Sequence, residues 1–112
     1  MIEANNLLGK VLLIGITLLD DEERLIEQFQ VFGKIIRCST DGVVIQKNGT
    51  DQEFTIPPDF ESITPAQPGE YKLRSTGEVV TDPDYITSWT VNNSSSERAE
   101  KYKTVGFEGW CK

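Results

Sequence analysis

The sequence predicts a single domain that is mainly β, and three observations support this fold class. The chain has 112 residues, of which 38% are hydrophobic and 26% charged, an ordinary composition for one globular domain. Between residues 10 and 91, short runs of β-branched and aromatic residues alternate with Gly, Pro and Asn-Gly turns. A polar stretch rich in Ser and Asn then follows. We therefore place a β domain at residues 1–91 and a polar linker and tail at residues 92–112.

The first strand is predicted at residues 10–19, which are almost all aliphatic or β-branched. Leu12, Ile14 and Ile16 fall on one face at a period of two, and further apolar residues fall on the other. We expect this strand to be covered on both faces. Four consecutive acidic residues follow, and because neighbouring carboxylates repel one another, they are expected at an exposed hairpin tip.

Residues 24–38 fit two patterns. Five apolar residues in this segment recur near the helical period of 3.6, which would give an amphipathic helix. Phe29, Val31 and Ile35 instead share one face of a strand, and Gly33 would weaken a helix by about 1 kcal/mol relative to Ala. We favour a long strand with a kink at Gly33, and the helix stays open as the alternative.

The next two strands are predicted at residues 42–47 and 51–56. Asn48-Gly49 between them supplies the positive-φ residues that a tight hairpin turn needs. Pro57-Pro58 ends the second of these strands, because proline cannot donate to a β-ladder.

The last part of the domain contains weaker patterns and one clear strand. Short strands are expected at residues 71–74 and 78–80, and a strand rich in aromatic and β-branched residues at 85–91. In the tail, Ser94 and Glu97 have the spacing of a capping box, which predicts a short helix. A mobile tail is the alternative.

This order of strands resembles the small five-stranded barrels of SH3-like and Sm-like proteins. The resemblance covers residues 7–91 and rests on Leu7-Leu8-Gly9-Lys10-Val11, on Gly33-Lys34-Ile35-Ile36, and on Asp41-Gly42-Val43-Val44-Ile45 followed by Asn48-Gly49. Residues 68–80 also look like a signature of small bacterial proteins. The resemblance implies a partly open, five-stranded barrel.

The resemblance also implies an alternative function. Sm-like proteins form rings and bind uridine-rich RNA through the loops after their third and fifth strands. The matching places here are Lys47-Asn48-Gly49 and Asn92-Asn93, and the chain lacks the Arg-Gly element that follows the last strand in that family. An RNA-binding homo-oligomer is therefore the alternative to the function favoured below.

The charge and the residue types exclude several classes of function. The formal net charge is −7, which argues against broad binding to nucleic acids or anionic membranes. The absence of histidine removes Ser-His-Asp and Cys-His catalysis and His-containing zinc sites. We expect a non-enzymatic protein without a cofactor or a metal ion. Residues 1–91 hold seven basic and fifteen acidic residues, so the acidity belongs to the predicted domain.

The cysteines and the apolar runs bear on the cellular compartment. Cys38 follows an apolar stretch and is expected to be a buried, reduced thiol, with a bridge to Cys111 as the alternative. The apolar run at residues 11–19 is too short to span a bilayer, and residues 1–6 lack the positive start of a signal peptide. We expect a cytoplasmic protein.

The acidic residues are the candidate binding site. We expect a protein-binding module, such as an immunity-type inhibitor of a basic toxin or nuclease, whose charge speeds association with its partner. Glu78, Asp82 and Asp84 are close enough in sequence to form a cluster for a hard cation, but a solvated turn fits their spacing better. The residues expected to bind the partner are Asp20, Asp21, Glu22 and Glu23, with a second patch of Asp82, Asp84 and Tyr85.

Overall fold

A computed structural model describes residues 7–39, 42–57, 60–73 and 77–92, and this part of the chain is mainly β. The predicted fold class is therefore confirmed at this level. The described strands are β1 (Val11–Leu19), β2 (Leu25–Ser39), β3 (Gly42–Lys47), β4 (Glu53–Ile56), β5 (Thr64–Pro65), β6 (Glu70–Lys72), β7 (Val79–Thr81) and β8 (Tyr85–Val91), with a 3-10 turn at Phe60–Ser62.

Six of the strands form one sheet in the order β4-β3-β2-β1-β8-β5, and β6 pairs with β7 in a second, two-stranded sheet. The five longest strands are β1, β2, β3, β4 and β8, and the strands β5, β6 and β7 have only two or three residues each. Among the described residues the larger sheet is not closed, because its end strands β4 and β5 do not pair with each other. At its centre, β1 is antiparallel to β2 and parallel to β8.

The long strand β2 joins the two halves of the larger sheet, so the strand interpretation of residues 24–38 is confirmed. It pairs with β1 up to Lys34 and with β3 from Gly33 onward. At Gly33 an added Cβ would lie 1.9 Å from the backbone oxygen of Gln46, so only glycine allows the two strands to approach this closely. The break in register with β3 lies between Ile35 and Arg37, beyond the kink expected at Gly33.

The main core lies on one face of the larger sheet. The even-numbered apolar residues of β1 are buried there, together with residues from β2, β3, β4 and the connection before β5. The other face is covered by the β6–β7 hairpin at Leu13, which packs with Leu73 and Val80. Farther along β1 the second face carries Gly15 and Thr17, both half-buried. The expectation of a strand covered on both faces is therefore met at Leu13.

Two further expectations concern the cysteines and the tail. Cys38 is a free, half-buried thiol, and its burial raises the pKa of the thiol above the usual value. Cys111, Asn93 and the predicted helix that begins after Ser94 lie outside the described residues.

In the described part of the chain, no helix has both the length and the apolar character needed to cross a membrane.

Candidate protein-binding site

The acidic tip, residues Asp20–Arg24, is a turn held together by the side chain of Asp20. The Asp20 carboxylate accepts hydrogen bonds from the backbone N–H of Glu22 (2.8 Å) and of Arg24 (2.9 Å), and from Nε of Arg24 (3.0 Å). The backbone N–H of Arg24 is the main cause that lowers the pKa of Asp20. Glu23 lies in the left-handed region with φ 64°, so the chain reverses sharply here. Asp20 thus fixes the shape of the tip.

The acidic tip presents its other carboxylates to solvent. Asp21, Glu22 and Glu23 are all exposed. Glu22 lies 3.4 Å from the Arg24 guanidinium, but both side chains are about two-thirds exposed, and such surface pairs are weak. Leu25, the first residue of β2, is 59% exposed beside them. The tip therefore combines a fixed backbone, exposed negative charge and one apolar contact point.

The second predicted patch serves internal hydrogen bonds. Asp84 accepts from the backbone N–H of Val11 at 2.9 Å, and Asp82 accepts from the backbone N–H of Gly69 at 2.7 Å. Asp82 itself lies in the left-handed region with φ 49°. Tyr85 is half-buried and packs against the main core. These side chains thus hold the start of β8 and the base of the β6–β7 hairpin.

The structure does not bring the two acidic patches together. Asp84 lies beside Val11 at the beginning of β1, whereas the acidic tip follows Leu19 at its end. At about 3.3 Å per residue, the eight steps from Val11 to Leu19 along β1 separate the patches by roughly 26 Å. A single small contact surface cannot include both.

The three carboxylates that could form a cation cluster by their spacing do not act together in the structure. Glu78, Asp82 and Asp84 are all exposed, and the latter two bond to different backbone groups. Within the four described ranges, no group of three Asp, Glu or Cys residues is arranged to hold a metal ion.

A cleft that no sequence pattern indicated begins at Glu27, three residues after the acidic tip. Its volume is about 630 Å³, and its walls are residues 27–32 of β2, the β3–β4 turn and Glu78. Lys47 lies at one side of the cleft with its Nζ 5.5 Å from the centre of the Phe54 ring, and burial lowers the pKa of Lys47. The cleft exists because β3 pairs with β2 only from Gly33 onward. An alternation of apolar and polar residues does not show at which residue the pairing of two strands begins.

Among the residues matched to the RNA-binding loops of Sm-like proteins, Asn48, Gly49 and Asn92 are exposed and Lys47 is half-buried. The turn at Asn48-Gly49 is exposed, and the backbone N–H of Asn48 donates to the Phe32 oxygen at 3.0 Å. A second, shallower cleft of about 400 Å³ contains Lys34, Lys47 and Asp51. Asn92 is exposed at the end of β8.

Comparison of the chain with protein-family models, with curated proteins and with solved structures finds no match. The function of the protein is therefore inferred from the charges, the burial and the hydrogen bonds described above.

Proposed function

We propose that this chain is a non-enzymatic protein-binding domain whose acidic tip contacts a basic surface of a partner protein. The observation that carries the proposal is the set of bonds made by Asp20, which hold the turn so that Asp21, Glu22 and Glu23 remain exposed. Fixed charges of one sign attract an oppositely charged partner over a distance and speed the encounter. A fixed loop also loses little conformational entropy on binding.

The partner that fits this surface is a basic protein such as a toxin or a nuclease. An enzyme that acts on nucleic acid carries a cationic surface for its substrate, and an acidic inhibitor competes for that surface. We assign this binding to the acidic tip and not to Asp82 and Asp84, because those two carboxylates already accept backbone hydrogen bonds.

We also propose an open SH3-like or Sm-like barrel as the scaffold. Its five main strands are β1, β2, β3, β4 and β8. The long strand β2 would curve the barrel, because its first part pairs with β1 and its last part pairs with β3. In this arrangement the acidic tip is the exposed turn that connects β1 to β2.

The proposal is tested by reversing the charge of the tip while keeping the residue that shapes it. The triple variant Asp21→Lys, Glu22→Lys, Glu23→Lys retains Asp20. Its matched control is Asp51→Lys, Glu61→Lys, Glu70→Lys, which changes the net charge equally at exposed positions elsewhere. Each variant is immobilised and the proteins retained from the native host are quantified.

We expect one or more basic proteins to bind the unmodified chain and the control but not the tip variant. The same set of proteins on all three would show that the tip is not the binding surface. Loss of binding in both variants would show attraction by net charge alone, which also contradicts the proposal.

A further inference from the structure

The backbone of β2 shows which of its residues face away from β1. The N–H of Ile35 donates to the Lys10 oxygen at 2.8 Å, and the Ile35 oxygen accepts from the Gly9 N–H at 2.9 Å, so both groups point toward the β1 side. Backbone groups of successive residues in a strand point to alternate sides. The register with β1 is unbroken from Lys34 to Glu27. Even-numbered residues in this stretch therefore direct their N–H and C=O away from β1.

One hydrogen bond on the opposite side agrees with this assignment. The oxygen of Phe32 accepts from the N–H of Asn48, which belongs to the β3–β4 turn. Farther toward the acidic tip, β3 no longer accompanies β2, since their pairing begins at Gly33. No strand in the described ranges pairs with this outer side of Gln28. Gln28 thus presents a backbone donor and a backbone acceptor at an open sheet edge.

The open edge of β2 forms a wall of the cleft described above. The two faces of the sheet carry different side chains at this edge. Phe29 and Val31 share the face that carries the main core, whereas Gln28 and Phe32 lie on the other. A strand placed here would direct alternate side chains to an apolar face and to a mixed polar face.

The charges around the cleft favour a cationic occupant. Glu27 and Glu78 line it together with the ammonium group of Lys47, and Glu27 follows the acidic tip by three residues in the chain. A second copy of this chain carries a net charge of −7 and would be repelled. Unprotected sheet edges bind extended segments through their backbone groups, with side chains adding selectivity.

We propose that a basic, extended segment of the partner protein adds to β2 as a further strand at Gln28. This inference rests on the proposed function, because the acidic tip attracts the same partner. The tip supplies long-range attraction, and the hydrogen bonds at Gln28 supply the direction and register of the bound segment.

The experiment uses the full, isotope-labelled chain and a synthetic octapeptide of alternating Lys and Val. Binding is followed by nuclear magnetic resonance and by titration calorimetry. Two further peptides carry backbone N-methyl groups, one on every Lys and the other on every Val. In an added strand only one of these two sets of N–H groups faces β2.

We expect the amide signals around Gln28 to shift with the unmodified peptide. One methylated peptide should bind at least about tenfold more weakly, and the other should bind almost unchanged, because a methyl group that faces β2 removes the hydrogen bond to the Gln28 oxygen and also clashes with the strand. Gln28→Pro removes the outer N–H and should weaken binding similarly. Gln28→Thr, which keeps it, should not. The spectrum of each free variant verifies that it is folded.

Several results would overturn the inference. If both methylated peptides bound equally well, and bound Gln28→Pro as well as the unmodified chain, the attraction would be by charge alone. The proposed function of the acidic tip would still stand. No shift near Gln28 at millimolar peptide would exclude strand addition there. Contacts of Gln28 with residues 93–112 in the free chain would show that the protein itself fills the edge. Failure of the proposed function is judged separately, by the charge-reversal variants.

Discussion

Asp84 and Val11 are joined by two hydrogen bonds that run in opposite directions. The N–H of Val11 donates to Oδ2 of Asp84 at 2.9 Å, and the N–H of Asp84 donates to the Val11 oxygen at 3.0 Å. The pair lies where β1 and β8 begin, at one end of the parallel pairing in the centre of the larger sheet. A carboxylate that the sequence suggested for partner binding thus holds the scaffold together.

Removing this carboxylate should destabilise the fold. We expect Asp84→Ala to lower the free energy of unfolding by about 1 kcal/mol, since the Val11 N–H loses its side-chain acceptor. Asp84→Asn keeps one acceptor oxygen and should cost less. Urea unfolding measures both changes. If Asp84→Ala left the stability unchanged but abolished partner capture, Asp84 would belong to the binding surface instead.

Two glycines of the sheet should respond differently to alanine. Gly33→Ala would place a Cβ 1.9 Å from the Gln46 backbone oxygen, so β2 and β3 must separate, and we expect a loss of about 3 kcal/mol or more. At Gly15 the nearest atom to an added Cβ is the Ser88 Oγ at 3.6 Å, an ordinary contact. Gly15→Ala should therefore be tolerated, with a change within about 1 kcal/mol. Thermal unfolding of the two variants compares them, and similar losses would contradict the close approach at Gly33.

The stability of the protein should fall in acid partly because of Asp20. The backbone N–H of Arg24 and the other tip bonds lower the pKa of Asp20 in the folded chain below its usual value. A lowered pKa gives stability that is present above the unfolded value and is lost as the pH falls through the folded value. Asp20→Asn should flatten the acid limb of the curve of unfolding free energy against pH.

The control for this titration is Asp21→Asn, which leaves every tip bond made by Asp20 in place. We expect it to keep the slope of the unmodified chain. The same slope in Asp20→Asn would show that the turn bonds contribute nothing to the acid response.

The RNA-binding alternative gives a separate prediction. We expect a uridine-rich oligonucleotide not to bind at low salt, because the chain carries a net charge of −7. Fluorescence anisotropy measures binding, and light scattering measures the oligomeric state. A ring-sized oligomer whose RNA affinity falls steeply with added salt would contradict this and favour the Sm-like function. Lys47→Glu would then be the variant to test, since this residue precedes the Asn48-Gly49 turn.

Local features of the fold were predictable because they depend on short stretches of chain. The strand at Gly42–Lys47 follows from its β-branched residues. The turn after it is longer than the tight hairpin expected at Asn48-Gly49, since only Gly49 of the two takes a positive φ and β4 begins at Glu53. The alternation of Phe29, Val31 and Ile35 indicated a strand where the helical period competed. The parallel pairing of β1 with β8 was not predictable, since a period of two reports a face and not the neighbouring strand.

The candidate site was predictable in part for the same reason. A run of four acidic residues indicates an exposed turn whatever lies around it. The role of Asp84 depends on Val11, which is 73 residues away in the chain, so no local pattern shows it. The open edge at Gln28 depends on where the pairing of β2 with β3 begins, and this is equally non-local.

The parallel pairing of β1 with β8 also determines the order in which the strands of the larger sheet can pair during folding. While the chain is being synthesised, β1 and β2 can form their hairpin early, but the other side of β1 lacks its partner until residues 85–91 have emerged. The most apolar strand therefore has one unpaired side for most of synthesis, a state prone to aggregation. Closing so long a loop is slow, and the formation of this pair should limit the folding rate.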